Sequence, residues 1–504
     1  MPMDTDQPVL ELSRVRRYFV LVTVVVASGA YNAATFTATA ILPQMQGAMA
    51  ATHDEIAWTI TFNILATAVC TPMTGWLVSR FGRGNVQFWS LTAFSISTLM
   101  CGLSQSLEAL VFWRAMQGAT GAPLLPLGQT ILLDIFPRRQ HGMVISVFGI
   151  ANTFGPVIGP TLAGHLAEYY SWRWGYYMIL PIAVAATIAS RVAVPRERPA
   201  GATPLDWTGF VTLSLAIAAM QLLLSRGQRL DWFESNEILI EAFVAALAFY
   251  LFIAHSMTHK APFLSPGLVK DRNYAIGIFL IVIFGMLNFT PMVLLPPLLQ
   301  NQLGFPDGLI GYVVSWRGMG VMFGFFSAMF TALLGIKTGM VLGFGIQIVS
   351  GVWLSSIDFN VSLLTLCINA FLQGLAVGLI WTPITTSAFW TLDPSLRAEG
   401  VAVFHLMRNI GSSFFISVSV AEVVRATGGN YSRMMEFLSP FNRTLSLPSA
   451  MGEWTVDSLT GVAVLAREVN RQATFIGYLN AFWMYTVVSA IAIPLVLMVR
   501  RPKA

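Results

Sequence analysis

The chain has 504 residues, of which 55% are hydrophobic and only 11% charged, against a charged share of about 25% in soluble domains. That balance excludes a water-soluble fold, so the net charge of +5 concerns where cations sit about a membrane and not nucleic-acid binding. Cys70, Cys101 and Cys367 all fall inside apolar runs, which excludes a disulfide framework and any zinc-ligand spacing.

The apolar runs are about 20 residues or longer, the length a helix needs to cross about 30 Å of hydrocarbon, and β-barrel alternation is absent. The expected fold class is all-α integral membrane. A polar tail over 1–17 carries Arg14, Arg16 and Arg17 ahead of a run too long for a signal peptide, so it leads into an uncleaved first helix. Spans are expected near 18–43, 57–79, 86–105, 108–135, 142–165, 174–194, 207–225, 237–257, 274–298, 309–333, 337–357, 361–390, 399–424 and 475–499, about fourteen in all. With the N-terminus inside, 18 of the 29 Lys and Arg fall on the cytoplasmic side of this assignment, which satisfies the positive-inside rule with both termini cytoplasmic.

The hydropathy pattern divides the chain into six-helix bundles at 18–194 and 274–499, with a Pro/Gly-rich linker and an inserted two-helix hairpin over 195–273. This matches an inverted-repeat transporter. A long exterior segment, 425–474, contains Trp454 and the amphipathic run VAVLAREVNRQ, suited to the membrane surface or to a partner, or to serve as an ordinary capping loop. A short tail, 500–504, closes the chain.

Within the fifth span, Gly155, Pro156, Gly159, Pro160 and Gly164 crowd one half of an otherwise apolar helix. The prolines free the carbonyls of Asn152 and Pro156, and the glycines form a small-residue face for close helix packing. Charges inside spans are rarer still, because a mid-helix Arg or Asp costs about 2.5–3.5 kcal/mol even on lenient insertion scales. Arg114 shares a helical face with Gln117, and Arg317 and Arg408 sit in later spans. No carboxylate is expected at mid-membrane. Asp134, Glu422 and His405 are the remaining titratable candidates for a proton-coupling or gating role, with Asp134 alternatively a partner for Arg138 or Arg139. Tyr31, Asn32, Asn63, Gln117, Gln129, Asn152, Asn288, Trp316, Arg317, Gln373 and Trp381 are expected to line a central cavity or to cross-link helices. His255 and His259 have i, i+4 spacing but no acid or cysteine near them in the sequence, so no metal and no cofactor is expected.

Several of these stretches resemble the fourteen-spanner drug:proton antiporter branch of the major facilitator superfamily, the EmrB/QacA type of multidrug exporter. GPVIGPTLAG at 155–164 is similar to its antiporter motif, WRAMQG at 113–118 to its R-x-x-q-G motif, and GWLVSRFGRGN at 75–85 to its cytoplasmic gate loop through Gly75, Leu77, Arg80, Gly82 and Arg83. PMTGW at 72–76, GQRLDWFESNEI at 227–238, MVLLPPLLQ at 292–300 and SPFN at 439–442 extend the resemblance over nearly the whole chain. Two departures stand out: Ser79 replaces the usual gate aspartate, and Ala34 occupies the place of the first-helix acid. The resemblance implies a proton-coupled efflux transporter of small amphipathic compounds in the bacterial inner membrane, working by alternating access. It also implies Arg114 in proton coupling, and a periplasmic adaptor and outer-membrane channel as partners in Gram-negative cells. Same-fold alternatives are a transporter of one metabolite, siderophore or organic anion. The inward cations without inward acids favour an anionic or zwitterionic cargo. A non-transporting sensor would need a larger soluble part. An enzyme would need a clustered nucleophile and base, and direct ATP use would need a P-loop; the sequence has neither.

Overall fold

A computed structural model of the chain describes residues 12–195, 204–259, 262–329, 335–438 and 459–499. Helices are the only regular structure among them. They are named α1 (Arg14–Ala40), α2 (His53–Cys70), α3 (Met73–Phe81), α4 (Arg83–Leu103), α5 (Leu107–Gly121), α6 (Leu124–Ile135), α7 (His141–Tyr169) and α8 (Leu180–Ala193). There follow α9 (Trp207–Arg226), α10 (Asn236–Thr258), α11 (Arg272–Pro297), α12 (Asp307–Met329), α13 (Ile336–Ser355), α14 (Leu363–Trp390), α15 (Arg397–Met435) and α16 (Leu459–Met498).

Local chemistry sets many of the starts. Thr52 and Glu55 form a reciprocal capping box on α2, while Ser106, Asp206, Asp271 and Ser362 accept from backbone amides of α5, α9, α11 and α14. Among the described residues, twelve helices are long and apolar enough to cross a membrane, so the chain is a multi-pass membrane protein. The two further spans expected over 57–79 and 108–135 are each broken. Pro72 separates α2 from α3 with a bend of 56°, and Pro123 separates α5 from α6, because a proline ring displaces the carbonyl four residues earlier.

The long segment at 425–474 is more helical at both ends than its turn residues imply. α15 continues to Met435 and α16 begins at Leu459, lengths of about 60 Å at 1.5 Å per residue, well beyond the hydrocarbon thickness. The VAVLAREVNRQ run is therefore the opening of α16 and continuous with its span, not a separate surface helix. The linker at 196–203, the SPFN run, Trp454 and the tail at 500–504 lie outside the described residues.

α1 packs on α7, and α2 on α5, before residue 195; α12 packs on α14, α11 on α15, and α13 on α16, after residue 271. The two parts of the chain meet where α7 lies against α12 and α14, and where α3 and α6 lie against α15. α9 touches both α2 and α15, whereas α10 packs on α9 and leaves most of its surface outward. The apolar core follows this division: one cluster joins α1, α4, α6, α7 and α8, and a larger one joins α11 to α16 with Leu133 and Ile145 inserted from the earlier part.

Candidate functional site

Between the two parts of the chain lies a cavity of about 520 Å³, within the range that accepts a drug-sized molecule. α1 contributes Tyr31, Asn32 and Thr35, α7 contributes Pro156 and Pro160, α12 contributes Arg317, α14 contributes Gln373, and α15 contributes His405 and Arg408. A side chamber of about 40 Å³ shares Asn32, Pro156, Arg317 and Arg408 and adds Asn152, Asn288 and Trp381. Asn32 donates to Asn152 at 2.9 Å, tying α1 to α7 across its mouth.

The small-residue face places the prolines there. A Cβ on Gly155 would lie 2.7 Å from the Gly29 carbonyl, and one on Gly159 2.7 Å from the Ala33 carbonyl, so the backbones of α1 and α7 touch at these two positions. Gly164 meets nothing within 4 Å and takes no part in the contact. α7 runs unbroken through both prolines.

The electrostatics of the cavity are cationic. Arg317, 6% exposed, donates to the carbonyl and the side-chain oxygen of Asn288 at 2.5 and 3.0 Å. Arg408 donates to Asn409 at 2.9 Å and lies 5.5 Å from the centre of the Trp381 ring. Among the described residues, no Asp or Glu lines either chamber. His405 donates from Nε2 to Gln129 at 2.7 Å, a bond between the two parts of the chain, and its Nδ1 has no protein partner.

Beyond His405, toward the end of the bundle where α6 terminates, the two parts are tied by charge. Asp134, 1% exposed, receives Arg83 at 2.9 Å from its own part and Arg397 at 2.9 Å from the other. Among the described residues, its ion-pair partners are thus Arg83 and Arg397 in place of the Arg138 or Arg139 expected from the sequence. Gly75 lies directly against the backbone of Glu399, where a Cβ would approach to 3.1 Å, and the Glu399 carboxylate accepts from the Ser265 amide. Ser146 and Thr382 add a hydrogen bond of 3.0 Å across the same junction. Gly82, at φ 78°, turns the chain between α3 and α4 so that Arg83 can reach Asp134. Arg80 instead lies over Trp76 and Phe81, and the Ser79 hydroxyl bonds back to its own helix. Arg397 and Glu399 were not singled out in the sequence because both sit at a helix start, where a charge is ordinary.

Several of the expected cavity and coupling residues are elsewhere. Arg114 is fully buried but faces away from the chamber. Its guanidinium donates to the carbonyls of Thr59, Ala34 and Thr35 and to Gln117 at 2.5 Å, and it packs over Tyr176. Ala34, which stands where the resemblance leads one to expect an acid, meets Arg114 through its backbone carbonyl. Asn63 donates to the Arg114 carbonyl and Gln117 to Thr98, so both are cross-links between helices. Gln129 lies beneath the cavity on His405, while Trp316 packs on Tyr312 and Phe371. Glu422 is half-buried near the far end of α15 and does not line the cavity. Gln221, unanticipated, reaches the lining from α9 and donates to Ser413 at 3.1 Å.

The family profile described as Major Facilitator Superfamily matches residues 23–415. The chain belongs to the Major Facilitator Superfamily. It is 28% identical over 483 residues to the multidrug export protein EmrB of Escherichia coli K12, covering 92% of this chain and 91% of that one. It is 25% identical over 481 residues to the fatty acid resistance protein FarB of Neisseria gonorrhoeae, covering 93% of each. Among solved folds, a double-tryptophan mutant of XylE superposes with a TM-score of 0.65 at 12% identity, covering 97% of each chain. The human organic anion transporter MFSD10 superposes with a TM-score of 0.61 at 13% identity, covering 94% of this chain and 99% of that one. This chain is thus a member of a transporter superfamily, with bacterial multidrug export proteins as relatives over most of its length.

Proposed function

We propose that this superfamily member is a secondary active exporter of small amphipathic compounds, working by alternating access of two six-helix bundles, 18–194 and 274–499, with the 195–273 hairpin inserted between them. The observation that carries this reading is a mostly apolar cavity enclosed by both parts of the chain and closed at one end by the Arg83–Asp134–Arg397 layer. An ionic layer that joins the two parts only while that end is shut is what a rocking mechanism requires. Taking both termini as cytoplasmic and the bilayer as the bacterial inner membrane, the closed end faces the cytoplasm and the cavity lies toward the exterior. Protons supply the drive in this scheme. Asp134 and His405 are the preferred coupling groups because both bond across the junction, Glu422 is a more remote one, and Arg114 holds α1, α2 and α5 together around the cavity. The projecting ends of α15 and α16 are where a periplasmic adaptor, leading to an outer-membrane channel, would dock.

A second reading of the cargo rests on charge. With Arg317 and Arg408 lining the chamber and no acid beside them, the site favours an organic anion or zwitterion over a lipophilic cation, since the cation would find no counter-charge. The test is uptake into proteoliposomes holding the purified chain under an imposed pH gradient. A fluorescent amphipathic anion should accumulate, an ethidium-like cation should not, and collapse of the gradient should stop uptake. Accumulation of the cation alone would remove the anion reading, and uptake indifferent to the gradient would remove proton coupling.

A further inference from the structure

The sequence offers His255 and His259 as an i, i+4 pair with no acid nearby, but the fold brings one from 49 residues upstream. Asp206, the N-cap of α9, lies against the last turn of α10, where its Oδ1 is 2.8 Å from His255 Nε2. The rings of His255 and His259 stack with their centres 4.9 Å apart and 20° between their planes, which keeps the two imidazoles side by side at the end of α10. One donor atom from each of the three residues lies within 4.8 Å of the others.

We propose that Asp206, His255 and His259 form a binding site for a divalent transition cation of the Zn²⁺ class. Two imidazoles and one carboxylate suit Zn²⁺, Co²⁺ or Ni²⁺ and not the oxygen-seeking Mg²⁺ or Ca²⁺. Ligands on Zn²⁺ with bonds of about 2.0–2.1 Å stand about 3.3 Å apart in a tetrahedron. The Asp206–His255 separation is already shorter than that, and His259, which is exposed, can close the remaining distance by rotating its side chain. Water fills the fourth position. The Asp206 carboxylate is held in place by the Gly209 and Phe263 amides, which donate to its two oxygens at 3.0 Å each. The C-terminal end of α10 adds negative dipole character beside the cation.

The position gives the site something to act on. Asp206 Oδ2 accepts from the Phe263 amide at 3.0 Å, and two residues later the Ser265 amide donates to Glu399, which rests on Gly75 at the junction of the two parts of the chain. A cation that draws α9 and α10 together at this end would also anchor the loop that holds Glu399.

The full-length protein, purified without a polyhistidine tag, would be titrated with Co²⁺ while its visible d–d absorption is followed, and Zn²⁺ would be used to displace it. One cation per chain is expected, with at least tenfold weaker binding in H259Q, whose side chain is exposed, and in D206N, which keeps an oxygen to cap α9. Size-exclusion profile and thermal unfolding without metal establish that each variant is folded. Equal affinity in wild type and H259Q, or absence of a saturable Co²⁺ spectrum in wild type, would reduce the trio to an Asp206–His255 ion pair and overturn the proposal.

Discussion

Replacing Asp134 by Asn tests the ionic layer at its centre. The carboxylate is 1% exposed and holds Arg83 and Arg397 at 2.9 Å each, so the substitution leaves two guanidinium groups facing a neutral amide. Breaking a buried pair costs about 3–5 kcal/mol. Because 17% of the Arg83 side chain remains exposed, solvent screening lowers the figure to about 2–3 kcal/mol. In the proposed alternating-access cycle the interaction joins the two parts of the chain only while this end is closed, so the loss is expected to fall on the closed state. At about 1.4 kcal/mol per tenfold, the equilibrium should shift toward opening by about 30- to 150-fold. Spin labels at Gln140 and Ser395, both exposed and on opposite parts of the chain, would report this by pulsed electron-electron resonance. D134N should enlarge the long-distance population, Arg397→Met should do the same, and the double variant should add little because both remove one interaction. Unchanged distances in D134N, or full additivity in the double variant, would refute the ionic layer as the element that holds this end shut.

Arg317→Met and Arg408→Met should each lower uptake of an amphipathic anion by at least tenfold in proteoliposomes; Arg408→Lys, which preserves charge, should retain more of it. Gly155→Val and Gly159→Val would drive side chains into the Gly29 and Ala33 carbonyls and should destabilise the detergent-purified protein by about 1–3 kcal/mol, read as a lower midpoint of thermal unfolding. Gly164→Val, in open space, should leave that midpoint nearly unchanged. Arg114→Met removes the donor to three backbone carbonyls and Gln117, and unsatisfied buried groups cost about 1–3 kcal/mol. It should lower stability, with the apparent KM for cargo changed less than threefold, because the guanidinium does not reach the cavity.

Composition alone was enough to make this chain an all-helical membrane protein, since a backbone in hydrocarbon must satisfy its own amides and few charges can accompany it there. The motifs at 75–85, 113–118 and 155–164 carried the family, and the Gly155 and Gly159 spacing already announced a close helix contact. What these features could not give was the direction in which each interior charge points. Hydropathy places a residue at a depth, but successive helix positions rotate by about 100°, and the neighbouring helix decides what lies in that direction. Arg114 and Arg317 look alike in sequence, yet one is spent on the carbonyls of Ala34, Thr35 and Thr59 while the other faces the cavity. Pairings across the fold were equally hidden: Asp134 meets Arg397 from 263 residues away and Asp206 meets His255 from 49. Only the packing of α6 on α15, and of α9 on α10, brings those groups within reach of each other.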